Sequence, residues 1–528
     1  MPQHSRASLV RIGGRGLWLT GVACASLAGW GCEYSDSAWQ LDRSSGATAP
    51  RGGSDDTPSG GKGQAGSSVV HPTAGSDAGD AAGEGGGGAV PDNYPEPRID
   101  TMDPVTGAYG TLVTVRGLGL GNPSMKGFAL ALGKLGEVTL TPRDKAHVMS
   151  WSDEEIVFRF PFPAEGVVAL EAPKGSAMAG DFQPTWHIAQ EIAKAPAASV
   201  LASISPVKDH IELLFDTKPL SLLDVGPDGV VEHAVTADKV DASSIRLFLN
   251  TAKKVEGVGV STDAAPVIVA LQNMTDNLVA KPTAIALQAS EFGVAGGSEG
   301  ASVWMRRSGG WYRARPGAGG AWAQDKGPIA EPNANAPDRA SGNTSDGSLY
   351  VAWSVDTGNF LDDMEAGRMQ QLAPAATKFG ATAAAGNSVD DYVTSLTLKS
   401  SGDGLVVTTC GSDVDPFGLS GTDHYCFDAL HAPSGAHLFG IPVDQKSIAH
   451  AFTHERAVAS YCSTDQTWLI RSDTDVESAP GAAIGESVLY PCPEAVALEV
   501  NGAGDYLPVI RWAEKTYLLE RNPAALAK

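Results

Sequence analysis

Residues 346–358 read "DGSLYVAWSVDTG": a polar turn, a short apolar run and a second polar turn. Short runs of this kind, rich in aromatic and β-branched residues and bounded by turn residues, are typical of β-strands. The same pattern recurs around residues 213, 268, 303, 350, 406, 458 and 508, and the last five positions are 47, 56, 52 and 50 residues apart. The second half of the chain is therefore built from repeated strand units.

A repeat near 50 residues with several short strands per unit predicts a β-propeller, in which each blade is a four-stranded sheet packed on its neighbours. We expect an all-β protein with a six- or seven-bladed propeller over residues 198–522. The step from 268 to 303 is only 35 residues. It leaves an alternative open, with a second immunoglobulin-like domain over 198–292 and a separate β domain over 293–522.

Residues 95–188 also predict short strands. Val113 and Val115 alternate with Thr114 and Arg116, and Ile156, Phe158 and Phe160 recur at every second position, which is the period of a half-buried strand. About 90 residues of this kind suggest a sandwich, followed by a linker over 189–197.

Within this stretch, a set of turn, glycine and strand residues recurs in a familiar order: Ile99, Asp103-Pro104, Gly107, Gly110-Thr111, Val113-Thr114-Val115, Gly117, Gly121, Trp151-Ser152-Asp153, Ile156, Pro161 and Gly166. With these residues the stretch resembles the IPT/TIG domain, and the resemblance implies an immunoglobulin-like fold that acts as a spacer or binding module and has no catalytic residues of its own. The chain departs from the family at Leu120, where an aromatic residue is more usual.

The N-terminus predicts export. Three arginines precede residues 16–32, which carry no charge, and this order is typical of a secretory signal over residues 1–31. Cys32 follows "LAGWG" and resembles the lipobox cysteine of bacterial lipoproteins, which implies an acyl anchor in the membrane. Ordinary signal cleavage that leaves a spare thiol is the alternative. We expect a cell-envelope protein, anchored in the outer membrane of a Gram-negative bacterium and facing the periplasm or the surface.

Residues 32–94 predict a disordered tether, because a segment this rich in Gly, Ser, Ala and Asp buries too little apolar surface to fold. Its low-complexity part spans about 45 residues and would reach roughly 35–40 Å as a flexible coil.

The formal charge of −23 argues against nucleic acid as a partner, since phosphate backbones are bound by clustered Lys and Arg. It also argues against an anionic lipid surface reached without an acyl anchor.

Four cysteines follow Cys32, and an even number in an exported chain favours disulfides. Three pairings are open, and the short loops favour Cys410–Cys426 and Cys462–Cys492.

No stretch of the sequence matches a complete catalytic motif. "GGSEG" around Ser298 fits the G-x-S-x-G pattern, but a strand rather than a helix follows it, so a turn that opens a blade is expected instead.

We predict no cofactor; calcium is the weaker alternative at the acidic loops. Those loops contain Asp413, Asp415 and Asp423, and Asp362 with Asp363.

Aromatic and basic residues cluster between residues 304 and 322. We expect most of the tryptophans to fill blade cores, and Trp311 with Tyr312 to be exposed in a turn. Arg306, Arg307, Arg313 and Arg315 give this region local positive charge.

These observations leave three functions open. The first is a non-enzymatic surface lipoprotein that recognises a protein or glycan ligand through its propeller. The second is a glycan-cleaving hydrolase or lyase, whose acids and arginines would converge in the propeller funnel. The third is a structural component of the envelope.

Overall fold

A computed structural model describes residues 90–526, apart from several short gaps. The predicted signal peptide, Cys32 and most of the predicted tether lie outside the described residues. In the part of the chain that is described, no helix is long and apolar enough to cross a membrane. The gaps are residues 134–136, 207–209, 318–319, 333–338, 357–363, 386–388, 391, 415–421, 432–436, 443–446, 454–455, 473–484 and 502.

The regular structure of the described residues is almost entirely β-strand, as the alternating patterns predict. Two short helical turns accompany the strands in these ranges: a 3-10 turn at Ala242–Ser244 and α1 at Pro523–Leu526.

The first nine strands form a two-sheet sandwich. One sheet has the order β1-β3-β7-β6 and the other β2-β9-β8-β4-β5. The strands are β1 (Arg98–Asp103), β2 (Thr106–Gly107), β3 (Leu112–Leu118), β4 (Ala129–Leu132), β5 (Val138–Leu140), β6 (Val148–Trp151), β7 (Glu155–Arg159), β8 (Gly166–Ala172) and β9 (Gly175–Pro184).

The alternation seen in the sequence decides which side of each sheet is buried. Val113 and Val115 of the first sheet are fully buried, and Leu130 and Leu170 of the second sheet join them in one core. Residues of the predicted tether reach this core, since Tyr94 packs edge-on against Phe128 with 5.7 Å between ring centroids. Two sheets that share one core make this region a sandwich.

The remaining strands form seven blades. Blade 1 is β11 (Val200–Ile204), β12 (Ile211–Phe215), β13 (Ser221–Gly226) and β14 (Gly229–Thr236), and blade 2 is β15 (Arg246–Leu249), β16 (Val255–Val260), β17 (Val267–Met274) and β18 (Asn277–Ala286). Blade 3 is β19 (Glu291–Gly297), β20 (Gly300–Arg307), β21 (Gly310–Pro316) and β22 (Trp322–Ile329). Blade 4 is β23 (Ala340–Asn343), β24 (Leu349–Asp356), β25 (Met364–Leu372) and β26 (Thr382–Ala384), with β27 (Val389–Asp390) paired to β25.

Blades 5 to 7 complete the set. Blade 5 is β28 (Tyr392–Ser401), β29 (Gly404–Val414), β30 (Thr422–His431) and β31 (His437–Pro442), and blade 6 is β32 (Ser447–Phe452), β33 (Ala457–Cys462), β34 (Trp468–Ser472) and β35 (Glu486–Leu489). Blade 7 is β36 (Glu494–Val500), β37 (Tyr506–Trp512), β38 (Lys515–Arg521) and β10 (Trp186–Glu191).

The blades form a closed ring. The first strand of each blade contacts the first strand of the next, from β11 through β15, β19, β23, β28, β32 and β36, and β36 contacts β11 in turn. A ring of seven four-stranded sheets around one axis is a β-propeller, and its blade number lies within the predicted six or seven.

Strand β10 shows where the sequence-based boundary differs from the structure. Trp186–Glu191 was expected to end the first domain and begin the linker, but it pairs antiparallel with β38 as the outer strand of blade 7. The end of the chain supplies only three strands for that blade, and β10 covers the edge of β38 that would otherwise stay unpaired.

Residues 198–292, for which a second immunoglobulin-like domain was the alternative, are divided between blade 1, blade 2 and the start of blade 3. The outer strands β14 and β18 pair in parallel, which joins blades 1 and 2 into one eight-stranded sheet. Their inner strands still take separate positions in the ring.

The sandwich packs directly against blades 6 and 7. The Phe162 ring lies edge-on to Trp512 at 5.6 Å and to Tyr517 at 5.1 Å, and it is 5% exposed. Backbone bonds from Tyr109 N to Val488 O (3.1 Å) and from Tyr490 N to Tyr109 O (3.0 Å) extend the contact. The sandwich and these two blades therefore share one continuous core.

Tryptophans fill the blade interiors, as predicted for most of them. Trp304 and Trp468 are fully buried, and Trp353 is 5% exposed. The prediction was wrong for Trp311, which is also fully buried because it lies on β21, opposite Arg306, and packs with the apolar residues of blades 3 and 4. Tyr312 is half-buried, with the Arg307 guanidinium 5.4 Å from its ring centre.

The structure contains the predicted Cys462–Cys492 disulfide, with 6.0 Å between the two Cα atoms. It ties the second strand of blade 6 to the segment that enters blade 7. Cys410 and Cys426 are direct partners across β29 and β30, and Cys410 is disulfide-bonded. The Cys426 side chain lies outside the described residues, so the Cys410–Cys426 bond stays a prediction.

Candidate functional site

A cavity of about 190 Å³ lies at the centre of the ring, and we call it the axial pocket. Its walls come from the innermost strands β11, β28, β32 and β36, which belong to blades 1, 5, 6 and 7. Blades 1 and 5 are not neighbours, so their side chains meet only near the axis. The lining residues are Val200, Leu201, Ala202, Ser203, Lys399, Ser401, Ala449, His450, Ala497 and Leu498.

The polar groups of the axial pocket come from strands that also supply core residues. On β28, Leu396 is buried in a blade core, whereas Lys399 is exposed and lines the pocket with Ser401. On β32, the half-buried His450 lines the pocket beside Ala451, which is buried in a core. The inner strand of a blade thus builds the core and faces the axis at the same time.

Lys399 supplies the positive charge of the axial pocket. Among the described residues, no hydrogen bond or ion pair engages its ammonium group. The other polar lining groups are the hydroxyls of Ser203 and Ser401 and the imidazole of His450, and none of the lining residues is acidic.

Glu499 lies next to the pocket on β36. The Ser203 hydroxyl, which lines the pocket, donates a hydrogen bond to the Glu499 carboxyl. Burial raises the pKa of Glu499 to about 7; the Ser203 hydrogen bond lowers it, and the nearby charge of Asp403 raises it further. This carboxyl therefore holds its proton over much of the range in which ordinary glutamates are ionised.

A second buried carboxyl, Asp403, joins three blades beside the pocket. It lies in the turn between β28 and β29, two residues after Ser401, and is 3% exposed. It accepts hydrogen bonds from the Ser298 hydroxyl, from the Ser345 hydroxyl at 2.5 Å and from the Glu299 amide at 3.3 Å. These donors belong to the equivalent turns of blades 3 and 4. We call this arrangement the Asp403 junction.

The Asp403 junction depends on close approach of the backbone. A Cβ atom at Gly297 would lie 2.1 Å from Asp403 Oδ1, far inside contact distance. Burial raises the pKa of Asp403, although the hydrogen bonds from Ser298 and Ser345 act in the opposite direction. The Ser298 side chain thus connects blade 3 to blade 5. The expected turn at "GGSEG" is present, but it lies between the first and second strands of blade 3 and does not open the blade.

A second, larger groove of about 570 Å³ lies at the hairpin between β20 and β21. Arg306 reaches Glu331 at 2.8 Å and Glu291 at 3.9 Å, and Arg339 contacts both glutamates as well. Two arginines and two glutamates therefore balance one another beside this groove.

The four arginines singled out in the sequence do not line the axial pocket. They lie on β20 and β21, the middle strands of blade 3. Arg313 is 4% exposed and pairs with Asp325 at 2.6 Å, while Arg307 donates to the Ala286 carbonyl at 2.5 Å. Burial and the nearby Arg313 charge lower the pKa of Arg315.

The acidic loops considered for calcium are not described by the structure at the level of side chains. The side chains of Asp413, Asp415, Asp423, Asp362 and Asp363 lie outside the described residues. In the described part of the chain, no group of three or more His, Cys, Asp and Glu residues is placed to hold a metal ion.

Sequence reasoning missed Ser203, Lys399, Asp403, His450 and Glu499. One signal was available, because Ser298, Ser345 and Asp403 all lie in the polar turn before the second strand of a blade. A small polar residue that recurs at this point could have suggested contact near the axis. The pocket residues themselves carry no repeated pattern.

Comparison with known proteins gives only distant likenesses. No known protein family and no curated protein matches the chain. An auxiliary nutrient binding protein from Bacteroides thetaiotaomicron is similar over 80% of this chain and 97% of its own, with 8% identity and a TM-score of 0.39.

Two further solved structures are similar at the same level. An auxiliary nutrient binding protein from Bacteroides ovatus matches over 80% of this chain and 98% of its own, with 11% identity and a TM-score of 0.32. The WD40 propeller domain of Doa1 matches over 65% and 99%, with 10% identity and a TM-score of 0.31. Likenesses this distant identify neither a family nor a ligand.

Proposed function

We propose that this protein is a non-enzymatic lipoprotein of the cell envelope that binds a protein or glycan ligand through its propeller. The observation that carries the proposal is the axial pocket, where an ammonium group with no partner among the described residues, an imidazole and two hydroxyls converge from three blades. Ligand sites of this kind combine an apolar wall with a few polar groups that fix orientation. Leu201, Ala497 and Leu498 supply such a wall.

The hydrogen bonds of Glu499 and Asp403 support binding rather than catalysis. Hydrolysis of a glycosidic bond by the usual route needs two carboxyl groups that face the same substrate atoms. Glu499 is bonded to Ser203, and Asp403 accepts from three donors in the junction. Both carboxyls thus connect blades to one another.

We propose that the sandwich is an IPT/TIG domain that fixes the orientation of the propeller. Its contacts through Phe162 and Tyr109 fasten it to blades 6 and 7. Acylation at Cys32 and a flexible segment up to about residue 90 would then hold the combined body away from the outer membrane.

The anchor is tested by labelling cells with palmitate. The full chain should take up label, and the Cys32→Ser chain should not. Equal labelling of both chains would remove the anchor from the proposal.

The binding function is tested with the full chain carrying Cys32→Ser, immobilised and probed with a panel of glycans and envelope proteins. At least one ligand should bind, and Lys399→Gln should weaken it. Lys254→Gln, in the turn between β15 and β16 and outside the pocket lining, should not. Failure of every ligand to bind would contradict the proposal.

One observation favours the hydrolase or lyase as a second candidate: the pKa of Glu499 is raised to about 7. General acids of glycosidases have raised pKa values for the same reason, which is burial. The enzyme hypothesis predicts new reducing ends when glycans are incubated with the protein, and their loss in Glu499→Gln. The binding hypothesis predicts intact glycans with both chains.

A further inference from the structure

We propose that the axial pocket binds a small organic anion, a carboxylate no larger than a single sugar acid, with Lys399 as its charged partner. This inference rests on the proposed binding function and adds the chemical class of the ligand.

The charge of the pocket wall is the first argument. The chain contains 61 Asp and Glu against 38 Lys and Arg, yet none of the lining residues is acidic and one is a lysine. A cationic wall in an acidic protein concentrates anions at that place, because the opposite charge is attracted where the low-dielectric walls focus the field.

The direction of the nearby hydrogen bonds is the second argument. Ser203 donates its hydroxyl hydrogen to Glu499, and the Asp403 carboxyl is held by Ser298 and Ser345. Glu499 and Asp403 therefore have partners other than Lys399. Among the described residues the ammonium group of Lys399 is left to a ligand.

The size of the pocket is the third argument. A cavity of about 190 Å³ is smaller than the roughly 300–1,000 Å³ that holds drug-sized ligands. A single sugar acid fits this scale, and its hydroxyls would meet Ser203, Ser401 and His450. Leu201 and Leu498 would contact its carbon skeleton.

The carboxylate could belong to a free sugar acid or to the end of a glycan chain, and the experiment separates the two sources. Calorimetric titration of the full chain carrying Cys32→Ser uses sodium glucuronate, glucose, and two matched oligosaccharides that end in glucuronate or in glucose. We expect glucuronate to bind at least about tenfold more tightly than glucose, because a charge-assisted hydrogen bond is added. Tighter binding of the glucuronate-ended oligosaccharide would assign the chain end as the source.

Substitution of Lys399 tests its role directly. Lys399→Gln should weaken glucuronate binding by about ten- to a hundredfold and leave glucose binding unchanged, while Lys399→Arg should retain most of the preference. Lys254→Gln, which removes a surface lysine 3.7 Å from Asp276, serves as the matched control. Added salt should weaken the binding of glucuronate more than that of glucose.

Several outcomes would overturn the inference. Equal affinity for glucuronate and glucose, absence of binding by either, or an unchanged preference in Lys399→Gln would each do so. If Lys399→Gln fails to fold, as judged by circular dichroism, Lys399→Met, which also removes the charge, carries the same comparison. Binding of another ligand by the panel assay, with no preference for anions, would leave the proposed function standing and this inference refuted.

Discussion

Ser203 on the first blade donates a hydrogen bond to Glu499 on the last blade, although the two residues are 296 positions apart in the chain. This bond crosses the point where the ring closes, beside the contact between β11 and β36. The protonation state of Glu499 therefore affects the contact that closes the ring.

The pH dependence of stability follows from Glu499. Its pKa is raised in the folded protein from 4.5 to about 7, so the folded state binds the proton more tightly than the unfolded state does. The contribution of this proton to the stability of the fold is complete below about pH 4.5 and is lost as the pH rises through about 7.

We therefore expect Glu499→Gln to raise the melting temperature at pH 8 and to leave it nearly unchanged at pH 5, measured by thermal unfolding. Gln keeps an oxygen that accepts from Ser203 and never becomes charged. Glu494→Gln, on the exposed side of the same strand, is the control. An equal shift at both pH values would contradict the assignment.

The Asp403 junction should be sensitive to loss of its acceptor. Asp403→Ala leaves two hydroxyl groups and one amide without their partner, so we expect a loss of about 3 kcal/mol or more in unfolding free energy. Asp403→Asn should cost less, because its amide oxygen still accepts. Denaturant unfolding measures both, and a cost for Asp403→Ala no larger than for Ser298→Ala would argue against a central role.

Contact between the sandwich and the propeller should depend on Phe162. Phe162→Ala removes a buried ring from between Trp512 and Tyr517, and we expect a cost of about 3–5 kcal/mol. Calorimetry should then show the sandwich and the propeller melting in separate transitions. Phe292→Ala, at a ring that is 46% exposed, should change neither the number of transitions nor the midpoint by much.

The disulfide of blade 6 should stabilise the ring through its loop. Cys462 and Cys492 are 30 residues apart, and a loop of this length gives about 3–4 kcal/mol in the chain-entropy treatment. We expect the double variant Cys462→Ser with Cys492→Ser to lose about this much in denaturant unfolding. The wild-type protein under reducing conditions should lose at least this much, because Cys410 is disulfide-bonded as well. A reduced protein with unchanged stability would refute the expectation.

The sequence predicted the propeller because each second strand packs inside its blade and repeats with little variation. In blade 2, however, the repeat was placed on the wrong strand, and this error has a physical cause. The run near residue 268 is β17, the third strand of blade 2, whereas the true second strand is β16. That strand reads "VEGVGV", and its glycines hide the apolar pattern that marks the other blades.

The site could not be predicted in the same way. Ser203, Lys399, His450 and Glu499 lie on four separate inner strands, and only closure of the ring brings them together. Similarly, the pairing of β10 with β38 joins segments more than 300 residues apart, which no local pattern records. Long-range pairing of this kind depends on the whole topology rather than on neighbouring residues.

The place of β10 in the last blade also has a consequence for the order in which the chain is synthesised. Strand β10, which completes blade 7, is synthesised early, whereas its partner β38 is synthesised late. A nascent chain cannot complete the ring until β38, Lys515–Arg521, has been made. We expect premature termination near residue 500 to leave an open, protease-sensitive product even though six blades have been translated.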